Sequence, residues 1–156
     1  MPLIHLETKI NADIHLVFDL ARSIDLHTKS TSKTNEQAIA GRTSGLIELG
    51  ETVTWRAKHF GITQTLTSKI TDYERPFRFI DQMQKGAFKS LHHEHLFQKT
   101  DSGTLMIDKF EFSSPFCIIG HLFNFLILKK YMTKFLTKRN QMIKAFSESD
   151  KWKSIL

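Results

Sequence analysis

The chain has 156 residues, is 40% hydrophobic and 24% charged, and contains only 7 Gly and 3 Pro. That composition belongs to an ordinary globular protein large enough to bury a core, and it excludes long disordered or collagen-like segments. The lone Cys117 excludes an internal disulfide, while the formal net charge of +6 raises nucleic acid or an anionic membrane as partners.

The charge is unevenly placed. Residues 1–116 carry 14 Lys+Arg against 14 Asp+Glu, whereas 117–156 carry 8 basic residues against only Glu148 and Asp150. The opening MPLIHLETKI lacks a basic stretch followed by an apolar run, so no secretory leader is read. The longest apolar run, Cys117 to Leu128, is broken by His121 and Asn124 and is too short to span a bilayer. The expectation is a cytoplasmic protein with one domain over residues 1–156.

In chain order, Leu3 to Lys9 suits a first strand. From Asp13 to Arg22, the residues Ile14, Val17, Phe18 and Ala21 recur at helical spacing, with Asp13 placed to favour the helix start. A second short helix is expected around Ile24 to Lys29. Between Glu36 and Ser113 the period changes to two. Val53, Trp55, Ala57 and His59 share one face, and so do Gln64, Leu66, Ser68 and Ile70. A two-residue turn at Phe60-Gly61 would set Trp55 opposite Leu66 and Ala57 opposite Gln64.

RPFRFIDQM then places Phe77, Phe79, Asp81 and Met83 on one face, and TLMIDKFEF places Met106, Asp108, Phe110 and Phe112 together. Ser113-Ser114-Pro115 closes the strand region. A long helix is expected from about Phe116 to Ser149. Its stripe of Phe125, Leu128, Met132, Phe135, Leu136, Met142, Ile143 and Phe146 leaves Lys130, Lys134, Lys138 and Lys144 largely off the apolar face. The charge excess thus becomes the solvated side of one helix, and nucleic acid drops out as a partner. The fold class is α+β: a curved antiparallel sheet of about six to seven strands wrapped around a long C-terminal helix, with two short helices after the first strand. Such a grip commonly leaves a cavity between sheet and helix.

The densest chemistry lies in FKSLHHEHLFQ, residues 88–98. Strand parity sends His93 and His95 inward with Leu91 and Phe97, and sends His92 and Glu94 to the convex face. A connection over Thr100 to Gly103, with a left-handed glycine at its end, pairs Lys99 with Thr104. Counting back puts Phe97 opposite Met106, His95 opposite Asp108 and His93 opposite Phe110. The expectation is a cross-strand His95–Asp108 pair facing the cavity, with Asp81 on the neighbouring strand.

Three chemistries compete for that patch. As metal ligands, His93, His95 and Asp108 lack a compelling fourth partner, so no metal site and no cofactor are assigned. As an acid–base pair, Asp108 would orient His95, although no Ser or Cys nucleophile accompanies it. As a polar patch, His93, His95, Asp108, Asp81 and Gln64 would orient a ligand or satisfy one another within an apolar wall. Trp55, Phe77, Phe79, Met83 and Leu91 would form part of that wall, with Met106, Phe110 and Phe112 beside them and Met132 and Phe135 from the helix. The bland alternative is that these side chains simply fill the core.

The stretches INADIHLVFDLARSIDLH, GETVTWRAKHFGITQ, ERPFRFIDQM, GAFKSLHHEHLF, TLMIDKFEFSSPFCIIG and KRNQMIKA, in this order, cover most of the chain. They resemble the helix-grip superfamily of START lipid-transfer domains, birch-pollen-allergen proteins and polyketide cyclases (SRPBCC), in a branch of small stand-alone bacterial members. That branch usually has Ala-Pro before its first helix, where this chain has Ala12-Asp13, and Pro-Leu-Gly after the sheet, where it has Pro115-Phe116-Cys117. The second departure adds bulk near what is often the cavity mouth in such folds. The resemblance implies a small hydrophobic or amphipathic ligand, lipid- or polyketide-like, held inside. The alternatives are a cyclase or dehydratase using His95 and Asp108, and a peripheral membrane or partner-binding module using Lys130, Lys134 and Lys138. Nothing in the sequence sets the oligomeric state.

Overall fold

A computed structural model describes residues 1–114, 122 and 124–156. The expected start of the long helix near Phe116 and the Pro115–Cys117 segment lie outside the described residues, as does the side chain of Phe125.

Strand β1 (Leu3–Ile10) leads into helices α1 (Ile14–Ala21) and α2 (Ile24–Ser30). Strands β2 (Gln37–Gly41), β3 (Thr52–His59), β4 (Ile62–Glu74), β5 (Arg78–Lys85), β6 (Ser90–Thr100) and β7 (Gly103–Ser113) follow. A π-helical turn, Asn124–Leu128, runs into the long helix α3 (Lys129–Ser147). The strands form one 7-stranded antiparallel sheet in the order β1-β7-β6-β5-β4-β3-β2. Among the described residues no helix is long and apolar enough to cross a membrane.

Local chemistry explains the joints. Asp13 caps α1 by accepting from the His15 amide at 2.9 Å, and Ser23 caps α2 by accepting from the Leu26 amide at 3.1 Å. Phe60 and Gly61 take φ of 52° and 77°, the two positive values that a tight hairpin turn demands. Trp55 therefore faces Leu66 and Ala57 faces Gln64, as the alternation predicts. The β6–β7 hairpin also keeps the predicted register, with Lys99 opposite Thr104 and His95 opposite Asp108. Its turn is tighter than expected, because Thr100 also pairs with Gly103. Gly103 is required there: its φ is +149°, and a Cβ would come within 2.2 Å of the Ile10 carbonyl oxygen.

Register shifts between Thr67 and Ser68 and between Ile70 and Asp72 interrupt the β4–β5 ladder. Such irregularities bend a strand and increase its twist, which suits a sheet that curls around a helix. The core divides in two. One cluster gathers Phe18 of α1 with Phe79, Phe97, Met106 and Ile143; the other gathers Leu91, Phe110 and Phe112 with Leu128, Met132 and Leu136 of the C-terminal segment.

Candidate functional site

A cavity of about 640 Å³ lies inside the grip, lined by residues of both core clusters. Its apolar wall includes Trp55, Ile70 and Phe79, then Leu91 and Phe110 of the sheet, then Met132, Phe135 and Leu136 of α3. The polar residues on the wall include Gln64, Asp81, His93, His95 and Arg139.

The polar group is built around Asp108, which is fully buried on β7. His93 Nε2 donates to Asp108 Oδ1 at 2.7 Å, and Asn140 Nδ2 donates to Oδ2 at 2.7 Å. His95 Nδ1 lies 3.0 Å from the same Oδ1, yet it is out of hydrogen-bond alignment and has no other hydrogen-bond partner among the described residues. The expected pair is thus present in register, but the diagonal neighbour His93 makes the better bond. The imidazoles of His93 and His95 are tilted 35° to each other with centroids 3.7 Å apart, and both bring a nitrogen close to that oxygen, but only His93 does so in hydrogen-bond alignment.

Arg139 completes the group. Its guanidinium is 3.5 Å from Asp108 Oδ1, and it donates to the Ala21 carbonyl at 2.9 Å and to Asn140 Oδ1 at 3.1 Å. Asn140 also reaches Thr8 Oγ1 at 3.3 Å, so the network joins β1, α1, β6, β7 and α3. Arg139 and Asn140 were not singled out from the sequence. The signal was present: they sit one helical turn from both Leu136 and Ile143, on the apolar stripe, where a charged residue needs a buried partner.

Burial pulls the Asp108 carboxyl upward, but the hydrogen bond from His93 and the second imidazole beside it outweigh that and hold the group well below the usual carboxylate range. His95 is pushed well below the ordinary histidine value, first by burial and then by the charge of His93, so its imidazole is neutral near pH 7. Burial raises Asp81; Ser68, His93, His27 and Arg139 oppose that rise. The Asp81 carboxyl and the Ser68 hydroxyl adjoin without a well-formed hydrogen bond, leaving Asp81 Oδ1 and Ser68 Oγ without partners among the described residues.

His93, His95 and Asp108 offer three ligand atoms within 4.8 Å of one another, a spacing that could hold a metal ion. Arg139 already supplies a positive charge at the shared oxygen, and a divalent cation there would oppose it.

Other predicted site residues lie off the cavity. Phe77 precedes β5 in the turn rather than joining its inner face, and is 52% exposed. Met106 is fully buried, because α1 packs over that end of β6 and β7 and makes it core. Phe112 fills the second cluster against Phe88 and Phe110. Met83 packs into the same cluster close to Gly86, and Asp108 is covered by the two histidines.

The opposite rim carries residues that the sequence reading did not select. His59 Nδ1 and the Tyr131 hydroxyl are 2.7 Å apart, joining the β3–β4 hairpin to α3. Burial lowers His59, with Glu36 opposing. The exposed side chains of Phe60, Ile62 and Ile127 line the cavity beside this bond. Nearby, His27 bonds Glu36 at 2.9 Å and packs on Trp55, centroids 4.3 Å apart. The inward parity of His59 in the β3 alternation was the available signal.

No family model matches the chain, and no curated protein sequence matches it. Solved structures do. TTHA0849 from Thermus thermophilus superposes with a TM-score of 0.72 at 17% identity, covering 94% of this chain and 99% of that one. Ginseng major latex-like protein 151 from Panax ginseng gives 0.65 at 14% identity, covering 95% and 98%. Ara h 8.0201 gives 0.61 at 13% identity, covering 94% and 97%. With the seven-stranded curved sheet, the two short helices after β1 and the long C-terminal helix, these likenesses show that the chain has the helix-grip fold of the START-like and birch-pollen-allergen-like proteins.

Proposed function

We propose that the protein binds one small hydrophobic or amphipathic molecule, lipid- or polyketide-like, between its sheet and α3. The observation that carries this reading is the cavity: about 640 Å³, mostly apolar, with polar side chains gathered on part of its wall. Pockets for small molecules commonly have about 300–1,000 Å³ and this mixture of apolar wall and few polar groups. A core packed solid would leave no such volume. Native mass spectrometry of the purified protein should reveal a co-purified molecule of fixed mass that the neutral apolar dye N-phenyl-1-naphthylamine displaces. Protein that carries nothing and takes up no dye would refute the reading.

A second reading is an enzyme of the cyclase or dehydratase sort, favoured by the His95 imidazole on the wall beside Asp108. A neutral imidazole next to a fixed carboxylate can accept a proton from a bound molecule and return it. The two readings separate at His95→Ala. Under carriage, binding weakens modestly and no reaction is lost; under catalysis, turnover vanishes while binding persists.

A further inference from the structure

The polar part of the cavity wall bears on the head group of a bound molecule. The cationic charge there is already engaged. Arg139 faces Asp108 at 3.5 Å, and its nitrogens donate to Ala21 O and Asn140 Oδ1. Asp108 itself is fully buried and satisfied by His93 and Asn140, so no ligand needs to reach it. Asp81 is different. It lines the cavity and is only partly buried; its Oδ1 is closed off beside the Ser68 hydroxyl without a well-formed hydrogen bond, so the exposed part of the carboxyl is what a ligand can meet.

We propose that Asp81 selects an uncharged, hydroxyl-bearing amphiphile over a carboxylate of the same shape. A hydroxyl donates to the Asp81 carboxyl whether that group is ionised or protonated. A ligand carboxylate would instead bring a second acid against Asp81 in a low-dielectric site. Two such groups cannot both stay ionised without cost, and among the described residues the arginines on the wall are already paired, Arg139 with Asp108 and Arg22 with Asp19 and Glu48. Burial raises the Asp81 pKa, which agrees with a group short of polar partners. This rests on the cavity-binding reading above and adds the chemistry of the ligand's polar end.

The test uses 4-octylphenol and 4-octylbenzoate, a pair that differs only in head group, titrated against the whole protein at pH 7.5. N-phenyl-1-naphthylamine serves as the head-group-independent control. The phenol should bind about tenfold or more tightly than the benzoate, the size of one uncompensated like-charge contact. In Asp81→Asn, which keeps the shape and removes the charge, phenol affinity should hold within about threefold while the benzoate gains, so that the ratio collapses. Benzoate binding as tightly as phenol to the wild-type protein overturns the proposal without recourse to any variant. An unchanged ratio in Asp81→Asn overturns it as well. Dye binding without binding of either octyl compound overturns the head-group selection and leaves the cavity reading standing. Failure of all three probes removes both.

Discussion

Strand β6 carries the same polar chemistry on both faces, and the two faces behave differently. Inward, His93 and His95 are 6% and 3% exposed and converge on one carboxylate, which two residues of α3 also hold. Outward, His92 bonds Gln82 at 2.6 Å, and Glu94 stands 3.7 Å from Arg78 and 3.5 Å from Lys109, all within reach of water. Parity alone separates them. The inner pair has lost its water and must be satisfied by protein, whereas the outer pair can exchange its partners for solvent at little cost.

The strongest way to break this contrast is Asp108→Ala. It leaves Arg139 and two imidazoles buried without their shared acceptor, and should destabilise the protein by about 3–5 kcal/mol in urea unfolding. A loss below about 1 kcal/mol would make the inner face no different from a surface pair.

Acid comes next. The folded pKa of His95 lies below its unfolded value, so its contribution is complete above about pH 6.5 and declines as pH falls toward the folded pKa. Asp108, also depressed when folded, loses its contribution only below about pH 4. The melting temperature should therefore begin to drop below about pH 6.5 and drop again in stronger acid. His95→Leu should flatten the first decline and leave the second. The smallest effects belong to the outer face. His92→Ala and Glu94→Gln should each change stability by no more than about 1 kcal/mol, read from the same urea curves.

Much of this arrangement was legible in the sequence, for reasons that name its limits. Alternation set the faces of β3, β4, β6 and β7, and two hairpin turns set their register, so Trp55 met Leu66 and His95 met Asp108 as predicted. Parity places a side chain on a face but does not say what covers it. Met106 and Phe112 face inward and still lie off the cavity, because α1 and Phe88 cover them. Phe77 follows the inward pattern of Phe79 but belongs to a turn, where alternation no longer applies. Ring orientation was equally hidden: both imidazoles reach Asp108, but only His93 is aligned to bond it. Arg139 and Asn140 stand on the helix stripe, but polar residues at those two positions say nothing by themselves of the buried carboxylate on β7 that they meet.

The account turns on whether the space inside the grip takes a molecule, and filling that space is the direct test. Ala57 is a small inward residue on the cavity wall, 6% exposed. Titration of the wild-type protein with N-phenyl-1-naphthylamine should give saturable one-site binding with blue-shifted emission. Ala57→Trp, shown by circular dichroism to keep the fold, should abolish it. Binding that survives Ala57→Trp undiminished, or wild-type protein that never saturates, would contradict an internal ligand site.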